Sequence, residues 1–155
     1  MNIPVIAGAI VALFSLYMLT YAIRSYKKSL ASEGWPTVNG KLVKVHLWGG
    51  RNVDGEMKEV EKLDVKYEYT VQEAPYTGTA VTYYTLVYPE TAEFADRHPL
   101  NSNISVYYNP ENPSESVLMA GPRKDNKRYS DIILGSLGVI VGVLIAVAGW
   151  LGVFA

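Results

Sequence analysis

Cysteine is absent from the 155 residues, which removes disulfides, thiolate metal sites and cysteine nucleophiles together. Histidine is scarce: His46 sits on the polar side of an alternating stretch, and His98 precedes Pro99. Neither has a second ligand or base at the spacing that zinc binding or catalysis needs. A glycine-rich phosphate loop and a serine–histidine–aspartate set are missing too. The sequence therefore reads as non-enzymatic, with no catalytic residue, no cofactor and no metal site.

The most informative absence is local. No Asp, Glu, Lys, Arg or His occurs in residues 3–23 or in residues 132–155. A helix rises about 1.5 Å per residue and the hydrocarbon core is roughly 30 Å thick, so ~20 apolar residues cross it. Both runs are long enough, and both are predicted to be transmembrane helices. A cleaved leader would carry basic residues before the first run. Here the chain opens Met1-Asn2-Ile3-Pro4 and the basic residues follow, so the run is expected to stay as a span. Pro4 suits the first turn of a helix.

Arg24, Lys27 and Lys28 follow the first run, and Arg123, Lys124, Lys127 and Arg128 precede the second. Basic residues at span ends stay on the cytoplasmic side and attract anionic headgroups. These seven are the candidate lipid-headgroup residues. The central region is expected in the cytoplasm, with both termini outside. From Glu33 to Pro122 there are 13 acidic and 7 basic side chains, a net of −6, which argues against nucleic acid as a partner.

Small residues recur at helical spacing along one face of each run. Gly8, Ala12, Ser15 and Ala22 mark the first; Gly135, Gly138, Gly142, Ala146 and Gly149 mark the second. Lipid offers helices no hydrophobic reason to associate, so close approach at small residues supplies the packing. These faces are expected to join the two helices to each other or to a partner's helices. Neither run carries the ionisable side chain that ion or proton pathways use.

Between the runs, residues 24–34 are predicted to extend the first helix until Trp35-Pro36 stops it. Residues 35–121 then read as a β-rich domain, and 122–131 as a basic linker. Val43, Val45 and Leu47 alternate with Lys44 and His46. Leu63, Val65, Tyr67, Tyr69 and Val71 alternate with polar residues in the clearest strand pattern of the chain. Gly49–Glu59 reads as a polar, turn-rich loop with Asp54-Gly55 as a natural hairpin tip. Its acidic neighbours Asp54, Glu56, Glu59, Glu61 and Asp64 read as a solvated cluster rather than a cation site. Ala74-Pro75 is expected to start a reversal and Tyr76–Tyr88 to form a long strand. Pro89–His98 is predicted helical, Ile104–Tyr108 and Ser116–Met119 extended, with a tight turn at Asn109–Pro113. The expected fold is an α+β membrane protein: two transmembrane helices flanking a mostly antiparallel five-stranded sheet or partly closed barrel, with one short helix. Eight of the 12 tyrosines fall between Tyr67 and Tyr108. Tyr83-Tyr84 and Tyr107-Tyr108 are expected to place one ring on each face of a sheet.

Three motifs carry a resemblance. Ser32-Glu33-Gly34-Trp35-Pro36 with Gly40 looks like an opening motif. Tyr67-Glu68-Tyr69-Thr70-Val71 followed by Tyr76-Thr77-Gly78 looks like a central hairpin. Val106-Tyr107-Tyr108-Asn109-Pro110-Glu111-Asn112-Pro113 with Val117-Leu118 looks like a closing segment. In this order they resemble the family known as domain of unknown function 3592, whose members are similar in carrying flanking membrane helices. The resemblance implies a shared β-rich fold and brings no activity. The stretch Gly49–Glu61 is longer than that pattern. The function expected from all this is a membrane accessory or scaffold protein, with the lipid bilayer and another membrane protein, or a second copy, as partners. A self-associating immunity or envelope-stress factor and a small-ligand-binding domain are the alternatives.

Overall fold

A computed structural model describes residues 3–125 and 127–153. Asn126 of the expected linker, and Phe154 and Ala155 of the second expected span, lie outside the described residues. The order of elements is α1 (Ile3–Ser32), β1 (Thr37–Val53), β2 (Glu56–Val71), β3 (Ala74–Gly78), α2 (Glu90–Arg97), β4 (Asn103–Tyr108), β5 (Ser116–Val117) and α3 (Ser130–Trp150). The chain divides into two compact units: the residues through Lys27 together with those from Arg123, and Lys28–Pro122. The last turn of α1 thus belongs to the second unit.

In the helical unit, α1 and α3 are both long and apolar enough to cross a membrane, with mean hydropathies of 2.1 and 2.6 over their most apolar windows. Those windows are 6% and 17% buried, whereas a soluble protein's core helix is mostly covered. Polar hydroxyls within the helices turn back on the backbone: Thr20 Oγ1 donates to the Tyr17 carbonyl and Ser136 Oγ to that of Ile132, each at 2.8 Å. Such local bonds let a hydroxyl sit in apolar surroundings.

The second unit is a five-stranded antiparallel sheet, ordered β3-β2-β1-β4-β5. The expected strand number and single short helix are present, but the sheet is open: β3 and β5 are its two edges and do not pair. Burial along β2 follows the sequence alternation, with Val65, Tyr67, Tyr69 and Val71 all buried and their neighbours exposed. These four join Leu42, Val81, Phe94, Val106 and Leu118 in one core. The α2 helix closes one side of it through Phe94, and Thr91 donates to the Val60 carbonyl.

Several expectations need correction. Gly49–Glu59 is not a loop but the distal arm of the β1–β2 hairpin, paired through Gly50↔Glu59 and Val53↔Glu56. Asp54 and Gly55, with φ of 55° and 86°, make its two-residue tip, and Gly49, at φ 80°, sits in the bulge between Trp48 and Gly50. Polar composition concealed the arm because both its faces are largely solvated. The next reversal falls at Gln72-Glu73, both at positive φ, and Ala74 is already paired with Val71.

The long strand expected over Tyr76–Tyr88 stops at Gly78. Beyond it the chain leaves the ladder: the Val81 carbonyl accepts from both Leu118 and Met119, at 3.0 and 2.8 Å. The Thr, Val and Tyr content there reflects burial rather than pairing, and Tyr83-Tyr84 do not straddle a sheet. The fifth strand is likewise reduced to Ser116–Val117.

Candidate functional site

The densest polar constellation of the second unit gathers around the last turn of α1. Three successive i→i−3 bonds, from the N–H groups of Glu33, Gly34 and Trp35, tighten that helix end before Pro36. Ser29 Oγ donates to the Gly121 carbonyl at 2.6 Å, and the Gly121 N–H donates to Ser32 Oγ at 3.0 Å. Both serines are buried. Gly121 holds φ 87°, which only glycine adopts freely, and so turns its N–H and C=O toward the helix.

Beside this clasp the Lys28 ammonium pairs with the Glu115 carboxylate, which also accepts from Asn109 Nδ2 at 3.0 Å. The Lys28 hydrogen bond, then that of Asn109, holds the Glu115 carboxyl below its usual range. Lys28 Nζ lies 5.6 Å from the centre of the Tyr83 ring, and Trp35 meets that ring edge-on at 6.0 Å. Burial, then the Glu115 charge, pushes the Tyr83 phenol up. The helix exit and the returning chain at Glu115–Gly121 are thereby joined by an ion pair and two hydroxyl bonds, while the aromatic contact ties Trp35 to Tyr83.

The central tyrosines build the wall behind it. Tyr67 is wholly buried, and its hydroxyl donates to the Ala80 carbonyl at 3.0 Å. The Ser116 hydroxyl, also at 3.0 Å, is therefore the donor to Tyr67. Burial raises the Tyr67 phenol to about 12. Tyr69 donates to the Pro113 carbonyl at 2.6 Å and stacks on Tyr76, with centroids 5.7 Å apart. Two glycines stand opposite these tyrosines: Gly78 pairs with Tyr67 and Gly40 with Tyr69. A Cβ on Gly78 would lie 2.3 Å from the Tyr67 ring, and one on Gly40 would lie 2.6 Å from Val106 Cγ2. The Asn109–Pro113 turn closes on itself, with Asn109 Oδ1 accepting from Glu111 and the Asn109 N–H reaching Glu115. Tyr107 and Tyr108 pair with Val117 and Ser116, and the Tyr108 N–H reaches the Pro36 carbonyl at 3.1 Å. Trp35, Pro36, Gly40, Tyr67, Tyr69, Tyr76, Gly78, Tyr107, Tyr108, Asn109, Pro110 and Pro113 are thus parts of one framework. Ser29, Tyr83, Glu115, Ser116 and Gly121 belong with them, although none of the five lies in the three motifs.

In the helical unit the small residues meet across α1 and α3. A Cβ on Gly8 would approach Ala146 N to 2.4 Å and the Gly142 carbonyl to 2.7 Å. One on Gly142 would come within 2.5 Å of Ala12 N, one on Gly138 within 2.4 Å of Ser15 Oγ, and one on Gly135 within 3.1 Å of Leu19. Gly149 faces Pro4 and Val5. Leu19 was not among the expected contacts.

At the polar ends of the same helices, the Arg128 guanidinium lies 5.6 Å from the Tyr26 ring centre and 5.5 Å from that of Tyr129. It donates to Tyr26 Oη at 2.9 Å. Arg24, Lys27, Lys124 and Lys127 are exposed, and Arg123 reaches Asp125 at 3.7 Å. Lys28, grouped with them in the sequence, is instead engaged by Glu115.

An open hollow of about 270 Å³ also marks the second unit, between Trp48, Lys62, Asp64, Thr82, Thr85 and Thr91. Among the described residues, no group of three or more His, Cys, Asp or Glu side chains could hold a metal ion. His46 and His98 stay apart, the latter stacked on Phe94 at 4.4 Å.

An open antiparallel sheet with this tyrosine–glycine framework defines a small β-rich module. The chain belongs to the family described as domain of unknown function (DUF3592), matched over residues 38–123. The matched residues hold the central and closing motifs and exclude both apolar helices and Trp35-Pro36. No curated protein and no solved structure matches the chain.

Proposed function

We propose that the chain is a two-span integral membrane protein whose β unit stands in the cytoplasm, with both termini outside. Its role on this reading is that of a non-enzymatic accessory or scaffold subunit docked on a larger membrane assembly. The observation that carries it is the clasp at the end of α1. The last turn of the apolar helix is built into the β unit by an ion pair and two buried serine bonds, so that the unit has the chain of a membrane helix as part of its own structure, as a membrane-bound subunit requires. The polar groups there bond to one another, which favours a structural part within the β unit over a ligand site. The seven basic residues flanking the apolar helices support the cytoplasmic side.

Gentle detergent extraction at native expression tests this reading. Co-migration with another membrane protein is expected, and migration as a lone monomer overturns it. Protease added outside intact cells or spheroplasts should leave the β unit undigested; digestion would reverse the orientation. Self-association through the Gly138–Gly142 face is the weaker reading, because α1 of the same chain fills that face.

A further inference from the structure

We infer that the polar ends of α1 and α3 form a binding site for the phosphodiester headgroup of an anionic glycerophospholipid. The inference deepens the membrane reading above and rests on it. Six basic residues belong to those ends, Arg24 and Lys27 from α1 and Arg123, Lys124, Lys127 and Arg128 before α3, against Asp125 and Asp131. Asp125 is engaged by Arg123 at 3.7 Å and by the Lys127 backbone N–H at 3.0 Å. Arg24, Lys27, Lys124 and Lys127 form no ion pair with any described residue. They are exposed lysine and arginine heads held within one helical unit.

A diffuse basic collar would need no order, whereas this one has a fixed centre. Arg128 rests on the faces of Tyr26 and Tyr129, and the tyrosine hydroxyls are 3.4 Å apart. Stacking on two rings costs the guanidinium its freedom before any ligand arrives, so less is lost on binding. Tyrosine at this level is also the residue that prefers the boundary between headgroup and acyl chain. Immediately beyond Arg24 and Lys27 the α1 surface turns apolar, with Tyr21, Met18 and Tyr17 exposed. A ligand that fits carries a phosphate at one end and acyl chains at the other. Free phosphate would satisfy the cations and leave that apolar surface uncovered.

Native mass spectrometry of the full chain, released from detergent with equal amounts of phosphatidylglycerol and phosphatidylcholine, tests the site. Retention of phosphatidylglycerol at about tenfold over phosphatidylcholine is expected. The joint variant Arg24→Gln, Lys27→Gln, Lys124→Gln, Lys127→Gln should reduce that preference to about twofold or less. All four positions are exposed, and circular dichroism checks that the variant stays folded. Equal retention of the two lipids by the wild type overturns the inference, as does a preference that survives in the variant. Displacement of phosphatidylglycerol by millimolar inorganic phosphate would assign the site to free phosphate and overturn the lipid. Flotation with phosphatidylcholine vesicles separates the two readings. A chain that floats without headgroup preference loses only this site; a chain that does not float loses the membrane reading and the site together.

Discussion

Gly78 lies directly across from Tyr67 in the β2–β3 ladder, and the tyrosine ring fills the space a side chain at 78 would need. Both added-Cβ distances to the ring, 2.3 Å to Cε2 and to Cζ, are far inside contact, and the ring is wholly buried and hydrogen-bonded at its tip. It has nowhere to go. Gly78→Ala should therefore destabilise the β unit by about 1–3 kcal/mol or more. Gly34→Ala, where the nearest atom stands at 4.0 Å, should change stability by less than about 0.5 kcal/mol. Denaturant titration of both variants checks the contrast; equal effects would contradict the ring's part in it.

The same ring sets an alkaline limit. The Tyr67 phenol is raised from 10.0 to about 12 by burial. The unfolded chain releases this proton at lower pH than the folded one, so the neutral phenol's contribution is intact below pH 10. It is lost as pH climbs from about 10 to about 12, at roughly 1.4 kcal/mol per pH unit for this group. Tyr67→Phe should flatten that decline. At neutral pH it should cost about 1–3 kcal/mol, because the Ala80 carbonyl and Ser116 hydroxyl lose their partner. Unfolding followed by tryptophan fluorescence from pH 7 to 11.5 measures both.

Periodicity made β2 legible because one face of it is core and the other solvent, so composition and geometry say the same thing. The apolar helices were legible for a similar reason: an uncharged stretch of that length is rare in a helix built for water or for a soluble core. Tyr83 and Glu115 were not. Tyr83 sits in a stretch whose Thr, Val and Tyr content imitates a strand, yet its neighbours bond to the Leu118–Met119 segment instead. Glu115 lies in a polar run after Pro113 that reads as plain loop. Its partner Lys28 is 87 positions away, and no local pattern links charges at that separation. The small-residue faces of the helices could be read, but not which neighbour each glycine would meet.

Lys28 and Glu115 are coupled through a half-exposed ion pair, so the gain is modest. A double-mutant cycle with Lys28→Met and Glu115→Gln should return a coupling of about 0.5–1 kcal/mol. Because the Glu115 carboxyl is held low in the folded chain, its contribution is present above the ordinary value of 4.5 and is lost as pH falls below it. Repeating the cycle at pH 7 and pH 3 checks the sign: the coupling should shrink in acid, and growth there would contradict the assignment.

Gln72 and Glu73 make the β2–β3 turn at φ 49° and 69°, both left-handed and neither glycine. A two-residue hairpin with positive φ at both positions favours Asn followed by Gly. Each L-residue in that region costs about 1–2 kcal/mol, less for Asn and almost nothing for Gly. The pair Gln72→Asn and Glu73→Gly should raise stability by about 1 kcal/mol, read as a higher denaturant midpoint with an unchanged slope. A fall would mean that the side chains removed there contribute more than the strain.

The absence of cysteine makes the helix contacts directly measurable. A Cβ on Gly135 would stand 3.1 Å from Leu19 Cβ, a few tenths of an ångström short of a disulfide's usual Cβ separation of about 3.5–4.5 Å. Leu19→Cys with Gly135→Cys should form an intrachain bond on mild oxidation, seen as a mobility shift on a non-reducing gel that reduction reverses. Adding Gly142→Ile forces a branched side chain against the Ala12 backbone, where even a Cβ would sit 2.5 Å from the nitrogen. With close approach at small residues holding the pair together, that substitution should cut the intrachain product several-fold. An undiminished bond would mean that contacts away from Gly142 hold α1 and α3 together.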